Sequence, residues 1–167
     1  MLEMEPVSVQ RIGTADGSQP SWAEARARLT ETQFYWLSTV RPDGRPHIMP
    51  ILAVWVGGAL HFATGPIARK ARNLRHDSYC AIAVDGDDLH VVLEGNSVRV
   101  RDEAQVRAVA EAYATKYGWQ VTVRDGVLHA DGAPTAGPPP YDVYEVTPTT
   151  VFAFGTDEAY GAARWRF

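Results

Sequence analysis

Phe34-Tyr35-Trp36-Leu37-Ser38-Thr39-Val40-Arg41, followed by Pro42-Asp43-Gly44-Arg45, Pro46 to Val56, Gly57-Gly58 and Ala59 to Thr64, decides the fold. It reads as three strands joined by two tight turns. The first run is rich in aromatic and β-branched residues, which suit a pleated, half-buried surface. Pro42-Asp43-Gly44-Arg45 and Gly57-Gly58 supply the turn formers that hairpins require. Pro50 has no N–H to give to a ladder, so it predicts an edge or a bulge in the second strand.

The pattern continues on both sides. Tyr79 to Val84 reads as a strand, and Asp85-Gly86-Asp87-Asp88 as an acidic turn rather than a metal site, since Asp and Gly are turn formers. Leu89 to Arg101 is a long strand in which Gly95-Asn96 predicts a bulge or bend. Tyr141 to Val146 and Thr150 to Gly155 read as two closing strands around Pro148. Ser21-Trp22-Ala23-Glu24 is a capping box that opens a helix to about Thr30, with Trp22, Ala25 and Leu29 inward. Asp102 to Tyr117 is the clearest helix, with Val106, Val109, Ala110 and Tyr113 on its apolar stripe. Gly118 to Pro140 reads as a long loop holding a small hairpin around Asp125-Gly126. Closely spaced hairpins and few helices predict a mainly β protein built as a small antiparallel barrel. A parallel dinucleotide-binding sheet lacks its Gly-x-Gly-x-x-Gly.

Residues 1–19 show no periodicity and are expected to form a flexible N-terminal arm, with residues 20–167 as one domain. The chain has 167 residues, is 46% hydrophobic and carries a formal net charge of -4. The longest apolar run, Ile51 to Val56, is too short to span a bilayer, and no apolar signal core opens the chain. The lone Cys80 has no partner for a disulfide. A cytoplasmic protein that binds neither membrane nor nucleic acid is expected.

The chemistry is expected at Thr64-Gly65-Pro66-Ile67-Ala68-Arg69-Lys70-Ala71-Arg72-Asn73-Leu74-Arg75. A Thr-Gly-Pro turn opens a short helix whose apolar stripe would be Ile67, Ala71 and Leu74. Arg69, Arg72 and Asn73 would face outward, with Lys70 on the flank. Backbone N–H groups, the helix dipole and these cations together form an anion site. Four cations within Arg69 to Arg75 of an acidic chain point to a specific anion rather than a general polyanion surface. Arg72 and Arg75 would extend the positive surface outward. The five histidines show no metal spacing, and neither a Gly-x-Ser-x-Gly nor a Cys–His pair supports nucleophilic hydrolysis.

The residues Ser38 to His47, Pro50, Leu60-His61-Phe62-Ala63-Thr64 and Ala68 to Leu74 carry a resemblance. In this order and spacing they resemble the pyridoxamine 5′-phosphate oxidase-like, FMN-binding split β-barrel superfamily. Within it they look most like the actinobacterial flavin/deazaflavin oxidoreductases, many of which use coenzyme F420. The resemblance implies a homodimer with cofactor at the subunit interface, acting on a small-molecule substrate. It implies that the segment Arg69-Lys70 holds the cofactor phosphate, and Thr64, Gly65, Ala68 and Asn73 around it are expected to bind the cofactor as well. The strand carrying His47, Met49, Pro50 and Ile51 would line the ring system. Trp165 and Arg166 in the tail would reach a neighbouring subunit's site. FMN-dependent oxidases commonly have a serine where this chain has Ala68. The Lys-x-x-Asn-Leu pattern from Lys70 to Leu74 leans towards the deazaflavin branch. Coenzyme F420 is therefore the expected cofactor, with FMN, or a non-catalytic flavin or haem carrier, as alternatives. The cofactor carries the redox chemistry, so no catalytic side chain and no metal are expected.

Overall fold

The computed structural model describes residues 4–131, 133 and 136–167. Residues 1–3 of the expected arm and 132, 134 and 135 of the expected loop lie outside the described residues. The elements in order are β1 (Ser8–Ile12), α1 (Trp22–Glu31), β2 (Tyr35–Val40), β3 (Pro46–Ile51), β4 (Ala53–Val56), β5 (Ala59–Thr64), α2 (Arg69–His76), β6 (Tyr79–Val84), β7 (Leu89–Arg99), α3 (Glu103–Tyr117), β8 (Thr122–Arg124), β9 (Val127–His129), β10 (Asp142–Gly155) and β11 (Ala162–Arg166).

The sheet is antiparallel throughout and forms the expected split barrel. Its strand order is β1-β11-β10-β7-β6-β2-β3, with β5 joining β10 to β4. Strand β10 organises the split. One edge pairs with β7 along its length, while the other pairs first with β5, through Asp142 to Val146, and then with β11, through Thr150 to Phe154. The two closing strands expected from sequence are thus one strand whose register shifts between Pro148 and Thr150. Pro148 has no N–H to contribute, which marks where the partners change.

Gly95 faces this shift. It is not a bulge in β7, which runs unbroken; a Cβ there would lie 2.1 Å from the Thr147 carbonyl oxygen. The glycine therefore answers to close approach of two backbones.

Pro50 sits on β3, an end strand of the sheet order, as its missing N–H requires. The expected second strand breaks at Leu52 into β3 and β4. The capping box at Ser21 and Glu24 is present, and Trp22, Ala25 and Leu29 are buried. Asp102 caps α3 through the Gln105 N–H, and Gly118 ends it in the left-handed region at φ 66°. The hairpin expected around Asp125-Gly126 joins β8 and β9.

Two apolar clusters result. One fills the barrel and includes Trp22, Leu37, Phe62, Leu93 and Trp165. The other lies between α3, the β8–β9 hairpin and the outside of β4, β5 and β10. The expected loose arm needs correction: Ser8 to Ile12 pair in register with Arg166 to Ala162. Its side chains are largely exposed, so no apolar periodicity announced the strand. The tail also needs correction. Trp165 is 2% exposed and packs on Trp22 at 6.0 Å between ring centroids. Its ring belongs to its own barrel core, while Arg166 is exposed at the end of β11.

Gly95→Ala should destabilise the protein by about 1–3 kcal/mol or more, because the added carbon meets backbone rather than a flexible side chain. Urea denaturation measures this; an unchanged midpoint would show that the β7–β10 approach is not tight.

Candidate functional site

Helix α2 starts at Arg69, two residues after the exposed Ile67, so the apolar stripe is Ala71 and Leu74 without Ile67. Gly65 to Ala68 form a turn instead, in which the Ala68 N–H donates to the Gly65 carbonyl at 3.1 Å. Ala68 is the N-cap and offers no side-chain hydrogen bond. The first intrahelical donor is Arg72 to Ala68, at 3.1 Å. The N–H groups of Arg69, Lys70 and Ala71 therefore have no helical acceptor, as at any helix start. With the dipole, they present partial positive charge.

The cations add to this. Among the described residues no carboxylate pairs with Arg69, Lys70 or Arg72. Lys70 is half-buried, and burial alone pushes its ammonium below the usual lysine range. An unpaired, partly desolvated ammonium beside an uncapped helix start offers two kinds of donor that suit an anion. Arg75 departs from expectation: its guanidinium donates to the Pro66 carbonyl at 3.0 Å and so braces the turn.

Lys70 opens onto a cleft of about 470 Å³. Pro50, Ile51 and Thr64 line it too, so four of the expected site residues meet there. The remaining wall was not foreseen: Phe34, Leu52, Tyr113, Tyr117 and Trp119 make it largely aromatic. Tyr113 was legible only as part of a helix stripe, and Trp119 only as part of an irregular loop. Nothing in one sequence brings α3 against the β3–β4 break.

The structure shows how the wall is held. Tyr113 donates its hydroxyl to the Leu52 carbonyl at 3.0 Å and accepts from the Ala63 N–H at 3.0 Å. The Tyr117 hydroxyl lies 2.9 Å from the Gln33 carbonyl and 3.0 Å from that of Ala53. Burial pushes the Tyr117 phenol up to about 12. Lys116 reaches the carbonyls of Thr30 and Ala53 and the Tyr35 hydroxyl, all within 3.1 Å. The edge opened at Leu52 is thus satisfied by α3 side chains rather than by a further strand.

On the other flank of α2 the expected outward face is partly buried. Asn73 is 0% exposed and donates to the Thr39 hydroxyl at 2.9 Å, pinning the helix to β2. Thr39 faces His47 across the β2–β3 ladder. His47 is buried; burial first, then Arg41, Lys70 and Arg69, push its imidazole below the usual histidine range. Met49 is exposed on β3. Trp165 and Arg166 are not among the residues lining the cleft.

The antiparallel split barrel defines the class. A family model described as pyridoxamine 5′-phosphate oxidase matches residues 21–155, and the chain belongs to that family. A conserved hypothetical protein from Mycobacterium tuberculosis has a TM-score of 0.68 at 18% identity, covering 88% of this chain and 92% of that one. A heme binding protein from Mycobacterium smegmatis gives 0.63 at 20% identity, over 86% of this chain and 62% of that one. An F420 reductase gives 0.53 at 22% identity, over 75% of this chain and 94% of that one. At these identities the likeness is one of fold. No curated protein sequence matches the chain.

Tyr113→Phe should cost about 1–3 kcal/mol, because it orphans the Ala63 N–H and the Leu52 carbonyl beside the cleft. Hydrogen exchange at Ala63 should quicken more than at β7 amides. Equal protection in parent and variant would show that the hydroxyl does not hold the break.

Proposed function

We propose that this protein is a deazaflavin-dependent oxidoreductase that works as a homodimer on a small organic substrate. The observation that carries the reading is the pairing of an uncapped, cation-bearing helix start with an aromatic cleft at Lys70. The first suits a cofactor phosphate and the second a flat ring or its reaction partner. Arg69, Lys70 and the N–H groups of the α2 start would hold the phosphate. Pro50, Ile51 and Thr64 would position the ring end, and the aromatic wall would exclude water. A reduced deazaflavin, when bound, supplies hydride. The protein's own task is then binding and orientation. Ala68 supplies no hydroxyl to a phosphate, which weighs against the phosphate site of the FMN oxidases.

The homodimer is supported by the outer sheet face. Trp36, Val40, Ile48, Tyr79, Val98 and Phe154 are all exposed. The registers of β2, β3, β6, β7 and β10 place them on one face. Large apolar side chains exposed on one sheet face, here interspersed with Ser38, Glu94 and Asn96, suit an interaction surface with a polar component. A second copy covering it would lie beside β3, whose other face carries His47 and Ile51.

Coenzyme F420 and FMN titrated side by side into the apo-protein test the cofactor. Tighter binding of F420 is expected, and a preference for FMN would sink the deazaflavin assignment. Lys70→Ala should weaken binding of the preferred cofactor by about 1–3 kcal/mol, with the unfolding midpoint little changed. Unchanged affinity would remove Lys70 from the site.

For assembly, light scattering should report twice the 18.4 kDa chain mass. Ile48→Glu should shift the protein towards monomer by placing a charge on the apolar face. A monomeric parent that still binds cofactor would defeat the dimer.

A further inference from the structure

Three polar atoms beside α2 are buried without a hydrogen-bond partner: Arg41 Nε, His47 Nδ1 and Asn73 Oδ1. They belong to one neighbourhood. Asn73 is bonded to Thr39, Thr39 is the cross-strand partner of His47, and Arg41 follows the end of β2. Native interiors leave few such atoms unpaired. Three together mark a place arranged for something polar rather than for packing.

The charges around His47 are one-sided. Arg41 comes from the β2–β3 connection, and Arg69 and Lys70 from α2. Thr39 and Asn73 add no charge. Asp43, the acid nearest in sequence, is held by the backbone and side chain of Arg45. Burial first, and then these three cations, push the imidazole below the usual histidine range. An anion settling against Arg69 and Lys70 offsets the cations' share of that shift, because it brings negative charge to the same field, and so moves the imidazole back towards its charged form.

We infer that His47 is the proton-linked member of this anion site: it takes up one proton from solvent when a phosphate-type anion binds at Arg69 and Lys70. This rests on the anion site proposed above. The imidazole gains a proton, and no other bond is made or broken. Over the interval between the free and bound titration points, the bound state holds more protons, so affinity rises as pH falls through it. Below the free titration point the gain levels off. The site then releases its anion more readily under alkaline conditions than its arginine and lysine alone would dictate.

Sulfate is the probe, because it stays a dianion throughout the interval and any pH dependence belongs to the protein. Sulfate is titrated into the full chain at matched ionic strength with chloride. Backbone signals of Arg69 and Lys70 and the ring signals of His47 are followed by NMR. Affinity should rise about three- to tenfold from about pH 7.5 to about pH 5.5. The His47 ring should titrate at higher pH in sulfate than in chloride. His47→Gln should bind sulfate with the parent's weaker, high-pH affinity at both ends of the interval. Sulfate binding at α2 with an unmoved His47 titration would overturn the inference while leaving the anion site standing. So would equal pH dependence in the parent and His47→Gln. Sulfate that moves no α2 signal, in the parent as in Lys70→Ala, would remove the site and the inference together. The ring titration needs no variant, so the test survives if His47→Gln fails to fold.

Discussion

The close approach of β7 and β10 is the constraint on which the rest depends. Gly95 lets the Thr147 carbonyl come in, and Pro148 then ends one set of strand partners and begins another. Because β10 changes neighbours there, β5 and β11 can both lie against the same edge. One branch returns β11 to the barrel, where Trp165 meets Trp22 beneath α1. The other carries β5 to Thr64, and so places the turn that starts α2. The site is downstream of a backbone contact that involves none of its residues.

Helix α2 occupies this position with few means. It is short and strongly cationic, and only Ala71, Asn73 and Leu74 are buried on it. A helix of that length does not persist alone in water. Packing of Ala71 and Leu74, the Asn73 bond to Thr39 and the Arg75 brace on Pro66 hold it in place. Lys70, which meets the cleft, and the exposed Arg69 and Arg72 have no carboxylate partner among the described residues.

Much of the fold was legible in the sequence. Hairpin turns, the capping box and the Asp102 cap are local devices, and each one forms where its residues stand. Pro50, through its missing N–H, announced an edge or a bulge, and the structure has the edge. What escaped was non-local. The first strand has an exposed, mixed surface, and only its pairing with β11 orders it. Gly95 looked like a bend because a glycine reports need for space without saying what fills it. At the site, Lys70, Thr64, Pro50 and Ile51 were foreseen and do converge. Asn73 was assigned to the outer face by helical projection; it is buried because α2 packs on β2 on that side too, where its amide bonds the Thr39 hydroxyl. Trp165 looked like a tail residue because sequence position says little about burial. The aromatic wall could not be read at all, since α3 meets the β3–β4 break across more than fifty residues of chain.

The tyrosines of α3 have a further implication for how such a protein can vary. In most sheets the width of a gap between strands is governed by ladder spacing, which changes little. Here the gap at Leu52 is governed by the reach of two phenol rings anchored on a helix. Residues of α3 and of the segment after it that face the cleft can change while the Tyr113 and Tyr117 hydroxyls keep their backbone partners. The barrel and the cation-bearing turn can therefore stay constant while the cleft is recut from one side. Changes of ligand preference in this architecture should accumulate on α3 and the segment after it, and a graft of that helix alone would be the economical route to a differently shaped cavity.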